Sequence, residues 1–276
     1  MIARSVTVTL TVKYAFATNN LLDLRAEPKH ESERLSQLLW CEPVEITAEK
    51  NGFAHVRQSD GYAGWIDERF LTPMSKARHH DQLSAPNSVV TSPTARIFAR
   101  AGGANISPYF LYYGTMLKTR SAGHAFARIT APDGRGFYIK RNNIRPINGK
   151  TKASMTAGTL LAEAKKFLGV PYLWGGVTSA GFDCSGFVRA VFSVFGVYLP
   201  RDTCDQVRAG RKLDRSEVRT GDLLFFERHV GLAVGRTRII HASRGGGGVR
   251  MNSLDPEGCD YTEELAAAFD QARRVL

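Results

Sequence analysis

Apolar and polar positions alternate with a period of two through most of the first half of the chain, the signature of strands with one buried face. The alternation is strictest from Val6 to Val12, which predicts a half-buried strand. Two longer stretches share one grammar: "NGFAHVRQSDGYAGWIDERFLTP" (51–73) and "AGHAFARITAPDGRGFYIKRNNIRP" (122–146) each run strand, Asp-Gly turn, strand, then a short polar link ending in proline. The second follows the first by 73 residues, matching Asp60 with Asp133, Gly61 with Gly134, Ile66 with Ile139 and Pro73 with Pro146. A duplicated small β-domain accounts for this, and short strands separated by turns predict a compact barrel in each copy, because closure removes exposed strand edges. The texture then changes. "TAGTLLAEAKKFLG" puts Leu160, Leu161, Ala164, Phe167 and Leu168 on one helical face ahead of Gly169 and Pro171, and "SGFVRAVFSVFG" predicts a second helix. "GDLLFFERHVGLAVGRTRIIHASRGGGGVRMNSL" predicts several antiparallel strands, so the last part of the chain is α+β.

These patterns divide the 276 residues into 1–75 and 76–148, two small β-barrels, and 149–276, an α+β domain. The polar segment 75–88, with Pro86, is the expected linker between the barrels, and 148–159 marks the next boundary. A net charge of +11 favours anionic partners such as nucleic acid, acidic lipid or acidic cell-wall fragments. The basic residues are scattered, without long runs or interleaved aromatics, which ranks nucleic acid low. No apolar run approaches a membrane span. "AFA" (15–17) imitates a signal-peptidase site, but the preceding alternation and Lys13 argue against a leader. Four irregularly spaced cysteines, Cys41, Cys184, Cys204 and Cys259, suit reduced thiols in the cytoplasm, with a secreted or periplasmic location as the alternative.

Cys184 stands apart from the other three, for which a packing role is expected. It sits in "GFDCSGF", a turn opening the second helix, where unpaired N–H groups and the helix dipole favour thiolate and are expected to lower the pKa from the free value of about 8.5. A nucleophilic thiol needs a base, and the base needs a partner to hold its ring. His229 and His241 lie on consecutive strands either side of a turn at 235–238, so their rings can meet across a hairpin. A zinc site built from Cys184, His229 and His241 is the competing arrangement, with three ligands and no short local spacing.

"GVPYLWGG", "FDCSGFV", "LPRDT", "GDLLFF", "HVGLAVG" and "IIHAS", in that order over 170–243, resemble the NlpC-type cell-wall peptidases, a papain-like family. The resemblance implies Cys184 as nucleophile, His229 as base and His241 as its orienter, with Tyr172 beside the oxyanion and Asp183 and Ser185 lining the substrate channel. It implies no metal and no organic cofactor.

The architecture of two bacterial SH3-like domains ahead of the peptidase is similar to the subgroup that cuts the γ-D-glutamyl to diamino-acid bond of murein peptides. "LRAEP", "CEPV" and "DGYAGW" carry that likeness. It implies that Glu27 and Tyr62 of the first barrel, with Asp202, bind a free N-terminal L-Ala amine, and Thr203 is a further substrate-binding residue. Thr203 stands where the subgroup usually has serine, and Cys41 where it usually has glycine. The expected function is a cysteine endopeptidase acting on L-Ala-γ-D-Glu–diamino-acid peptides, meso-diaminopimelate or lysine, in cell-wall recycling. A broader murein hydrolase or an amidase/acyltransferase on the same fold is the alternative, and a non-catalytic wall-binding protein is a third class. The second barrel is expected only to brace the other two domains.

Overall fold

The computed structural model describes residues 13–84, 86–102, 106–148 and 151–275. The strand expected from Val6 to Val12 lies outside the described residues, as does most of the segment weighed as a leader. The first unit contains β1 (Lys13–Ala17), β2 (Leu21–Arg25), β3 (Arg34–Leu39), β4 (Pro43–Lys50), β5 (Phe53–Arg57), β6 (Ala63–Asp67) and β7 (Leu71–Met74). They form one antiparallel sheet in the order β3-β2-β6-β5-β4-β1-β7, and no ladder joins β3 to β7 among the described residues. Its inward positions, Ala15, Leu24, Leu38, Val44, Val56 and Ile66, are almost fully buried, as period-two patterning requires.

The expected linker is a helix. α1 (Lys76–Ser84) carries the polar sequence KARHHDQLS and buries only His79, which packs on Tyr14 at a centroid distance of 4.5 Å. Without an apolar stripe this helix had no periodic signal to read.

The second unit has β8 (Ser88–Val90), β9 (Thr94–Phe98), β10 (Ile106–Tyr112), β11 (Met116–Leu117), β12 (Thr119–Ala122), β13 (Phe126–Thr130), β14 (Gly136–Lys140) and β15 (Ile144–Pro146). They form a five-stranded sheet, β10-β9-β14-β13-β12, and a three-stranded one, β11-β8-β15. The internal repeat survives in three dimensions. β5 and β6 shifted by 73 residues coincide with β13 and β14, and the single 3-10 turns that follow, Glu68–Phe70 and Arg141–Asn143, coincide as well. Both hairpins turn on a glycine with positive φ, Gly61 at 89° and Gly134 at 91°.

The third unit follows as α2 (Ala157–Lys165), β16 (Val177–Thr178), β17 (Gly181–Phe182), α3 (Cys184–Ser193), α4 (Thr203–Gln206), β18 (Arg211–Leu213), β19 (Leu223–Phe226), β20 (His229–Val234), β21 (Arg238–Ser243), β22 (Gly248–Ser253), α5 (Glu263–Ala267) and β23 (Phe269–Arg274). Six strands make an antiparallel sheet, β18-β23-β19-β20-β21-β22, and α3 packs on β20 and β21. Leu160, Ala164 and Phe167 enter the core beneath α3, but Leu168 is exposed, because the chain leaves helical geometry after Lys166. The second unit braces this domain: the buried Tyr113 hydroxyl donates to Glu163 Oε2 at 2.9 Å, Lys166 Nζ to the Thr91 carbonyl at 2.9 Å and Arg145 Nη2 to the Val194 carbonyl at 2.7 Å. It also takes Phe16, Trp40 and Cys41 of the first unit into its core.

Candidate active site

The site begins at the N-terminus of α3. Asp183 caps the helix by accepting from the Gly186 N–H at 2.7 Å, which makes Cys184 the first helical residue, as the turn sequence predicts. The thiol is 8% exposed and contacts Thr203 Oγ1 at 3.7 Å. Its titration differs from the expectation. Burial pushes the thiol above its ordinary value, the Asp183 charge pushes the same way, and Thr203 and the backbone N–H groups of Val230 and Ser185 only partly oppose them. Burial and Asp183 thus work against the helix end at this thiol, which gives a general base its task at the moment of attack.

β20 passes Cys184 at its His229 end, with the Val230 N–H facing the sulfur. His229 Nε2 and His241 Nδ1 lie 2.7 Å apart, with ring centroids at 4.9 Å. Leu232 pairs with Ile240, so the two histidines are diagonal rather than directly opposite across the hairpin. The place opposite His241 is taken by Gly231. A Cβ there would come within 2.9 Å of His241 Cβ and 2.4 Å of Ile239 Cδ1, so glycine gives His241 its room. Burial depresses both imidazoles, His229 to about 3, and His241 less simply because an Asn252 hydrogen bond opposes the shift. The resting pair is thus neutral. Since the facing ring nitrogens bond to each other, they leave no shared space for an ion, and no group of three His, Cys, Asp or Glu side chains suited to a metal occurs among the described residues.

Tyr172 runs beside Phe182 and is half-buried near the thiol; burial first, then the Cys184 and Asp183 charges, push its hydroxyl up to about 12, so it remains a donor. Asp183 and Ser185, expected along the channel, are 7% and 5% exposed, about as buried as Cys184 itself. Arg201 takes both: Nη2 to Asp183 Oδ2 at 2.5 Å, Nη1 to Asp183 Oδ1 at 3.1 Å and to Ser185 Oγ at 2.9 Å. Its Nε donates to Ser36 Oγ of β3 at 3.1 Å, tying the first unit to the cap of the nucleophile helix. Neither Arg201 nor Ser36 was found from sequence, although a basic residue inside the turn "LPRDT" was the available signal. Replacing Arg201 with methionine is expected to cost about 3–5 kcal/mol, because it strands a buried carboxylate. A urea melt with a loss below about 1 kcal/mol would refute that role.

The first unit closes over the site through further contacts. Tyr62 Oη donates to Asp202 Oδ1 at 3.4 Å, and burial, then the Asp202 charge, pushes the tyrosine up to about 12. Trp174 Nε1 donates to Glu33 Oε1 at 2.7 Å, Arg34 Nη1 to the Trp174 carbonyl at 3.2 Å, and Arg189 pairs with Asp60. Gly175, at φ 75°, admits this approach, since a Cβ would meet the Arg34 carbonyl oxygen at 2.4 Å. Glu27 meets a cation of its own unit. Its exposed carboxylate pairs with Lys29 at 2.7 Å, and that ammonium holds it below the usual carboxylate range. Of the other cysteines, Cys41 is buried as expected but at φ 60°, a left-handed conformation that favours glycine, while Cys204 and Cys259 are exposed rather than packed.

A nucleophile-bearing helix packed on a sheet that presents two bonded histidines is the arrangement of a papain-like cysteine peptidase. Comparison with known proteins agrees. Residues 169–264 match the model of the NlpC/P60 family, and residues 24–71 match the bacterial dipeptidyl-peptidase Sh3 domain. The chain is 38% identical over 130 residues to a probable endopeptidase NlpC homolog of Haemophilus influenzae, covering 46% of this chain and 67% of that one. It is 31% identical over 221 residues to a gamma-D-glutamyl-L-lysine dipeptidyl-peptidase of Bacillus cereus, covering 77% of this chain and 65% of that protein's length. The crystal structure of an NlpC/P60 family protein from Bacillus cereus superposes with a TM-score of 0.83 at 24% identity, over 95% of this chain and 99% of that one, a likeness of fold. The chain belongs to the NlpC/P60 family and is a cysteine peptidase with an SH3 domain ahead of its catalytic domain.

Proposed function

We propose that this peptidase hydrolyses the γ-D-glutamyl to L-diamino-acid bond of murein peptides bearing a free N-terminal L-Ala, in the recycling of cell-wall peptides. The observation that carries the reading is the Tyr62–Asp202 hydrogen bond, which joins the SH3 domain to the residue beside Thr203, itself 3.7 Å from the Cys184 sulfur. A carboxylate held at a closed end of the site suits an ammonium group and excludes a longer chain. The name of the Bacillus cereus relative supports the same bond. In this reading Cys184 attacks the γ-carbonyl while His229 takes its proton. The Cys184 backbone N–H and the Tyr172 hydroxyl stabilise the oxyanion, and His229 returns the proton to the leaving amine. Water then hydrolyses the thioester. The 73-residue repeat supports treating 76–148 as a second SH3-like barrel, with the domains running 1–75, 76–148 and 149–276.

The alternative, a broader murein hydrolase or amidase/acyltransferase, draws on Glu27, whose carboxylate is engaged by Lys29 rather than left for an amine. Incubation with L-Ala-γ-D-Glu-diaminopimelate and its N-acetylated form separates the two. Acetylation removes the charge and adds bulk at the closed end, so cleavage of the blocked peptide should nearly cease. Glu27→Gln should weaken use of the free peptide by roughly 1.5–3 kcal/mol if that side chain joins the pocket on binding. Equal cleavage of both peptides, followed by mass spectrometry, would move the protein to the broader class.

A further inference from the structure

The hydrogen bonds of the histidine pair continue beyond His241. His241 Nε2 lies 3.0 Å from Asn252 Oδ1, and Asn252 Nδ2 lies 2.9 Å from the backbone carbonyl oxygen of Asp260 and 2.7 Å from Thr262 Oγ1. Asn252 is 6% exposed and His241 3% exposed, so water does not substitute for these partners. Asn252 stands on β22, where Ile239 is its direct partner and Arg250 is that of His241, so it meets the imidazole diagonally.

The chemistry of each atom fixes the next. A backbone carbonyl only accepts, so the Asn252 atom facing Asp260 is the amide nitrogen. Flipping the amide would set two carbonyl oxygens against each other and present N–H groups to His241. Asn252 Oδ1 therefore faces His241 Nε2, and because an amide oxygen only accepts, Nε2 carries the proton. Burial keeps His241 neutral, so its Nδ1 is bare and accepts from His229 Nε2–H. The remaining nitrogen of His229, Nδ1, then carries the lone pair.

We propose that Asn252, anchored on the Asp260 carbonyl, is the positioning residue that sets the proton polarity of the histidine pair and so presents His229 Nδ1 as the base for Cys184. The proposal rests on the assignment of Cys184 and His229 as nucleophile and base, not on the identity of the peptide cleaved. In the reacting step the S–H bond of Cys184 breaks, its proton moves to His229 Nδ1 and the sulfur pair forms the C–S bond. The resulting imidazolium keeps Nε2–H against the bare Nδ1 of neutral His241, so the new charge meets a lone pair. The proton then passes from Nδ1 to the leaving amine. With Asn252 removed, His241 is free to hold its proton on Nδ1, facing the proton on His229 Nε2, and the pair has to give up either the bond or the useful tautomer. The anchor is local and backbone-based: Ser253 N–H also donates to the Asp260 carbonyl at 3.0 Å, which holds the acceptor in place.

The decisive measurement is the ring 15N spectrum of histidine-labelled wild-type protein near pH 7.5. Both His229 and His241 should be Nε2–H tautomers; an Nδ1–H signal from either ring overturns the proposal. In Asn252→Leu the His241 signals should shift towards the other tautomer. Alkylation of Cys184 by iodoacetamide should slow roughly 10–100-fold, the usual scale for losing such a partner, as should kcat, with KM little changed. Unaltered tautomers and unaltered alkylation in a folded Asn252→Leu protein would also overturn it. Spectra and alkylation need no peptide, so failure to cleave L-Ala-γ-D-Glu-diaminopimelate overturns the substrate reading alone.

Discussion

Cys184→Ala should hydrolyse no peptide at a measurable rate, a fall on the order of 10⁶-fold, as expected when a covalent nucleophile is removed. The sulfur lies at the first position of α3 against Thr203 and the Val230 N–H, a place none of the other three cysteines holds. Alanine preserves the helix start, since the cap is Asp183 and not the cysteine. The stability cost should be about 1 kcal/mol, and circular dichroism with a thermal melt checks that the fold persists. Cys41→Ala, Cys204→Ala and Cys259→Ala should all remain active. Turnover in Cys184→Ala comparable with these would end the covalent mechanism.

His229→Ala should follow closely, losing roughly 10²–10⁴-fold in kcat. The neutral resting state makes the base indispensable. Burial works against ionisation of the thiol, and His229, depressed to about 3 by burial and then by His241, is poised to accept its proton. The loss should be read from kcat with the free-amine peptide, and from a matching loss of Cys184 alkylation. His241→Ala removes the hydrogen bond to His229 Nε2 but leaves the proton acceptor, so its effect should be smaller. The reverse order of severity would exchange the two roles.

What the sequence disclosed was set by range. The Asp-Gly hairpins, the capping of α3 and the pairing of His229 with His241 depend on residues a few positions or one hairpin apart, and their patterns are local. The 73-residue repeat was legible for the same reason, being the same local grammar written twice. α1 was missed because its residues carry no apolar stripe, and Leu168 was misplaced because the helix ends before it. Arg201 and Asn252 were missed for a different reason. The value of Arg201 lies in Ser36, which only the assembled units bring near, and that of Asn252 in a backbone carbonyl eight residues on, an acceptor that no residue type announces. The thiol's titration was misjudged because the helix dipole is visible in sequence while burial and the neighbouring Asp183 charge are properties of the packed site.

The strand order of the catalytic sheet bears on synthesis. β23, residues 269–274, lies inside the sheet between β18 and β19, although every other strand of that sheet precedes it in the chain. β19 pairs on one side with β23 and on the other with β20, the strand that begins at His229. While the ribosome still holds residue 274 in its exit tunnel, β19 has an open edge and the sheet beneath the histidines is unfinished. The SH3 domain can emerge and fold long before then. Hydrolytic competence is thus postponed until translation has passed the last strand, so a stalled nascent chain would display a folded SH3 domain with no working peptidase behind it.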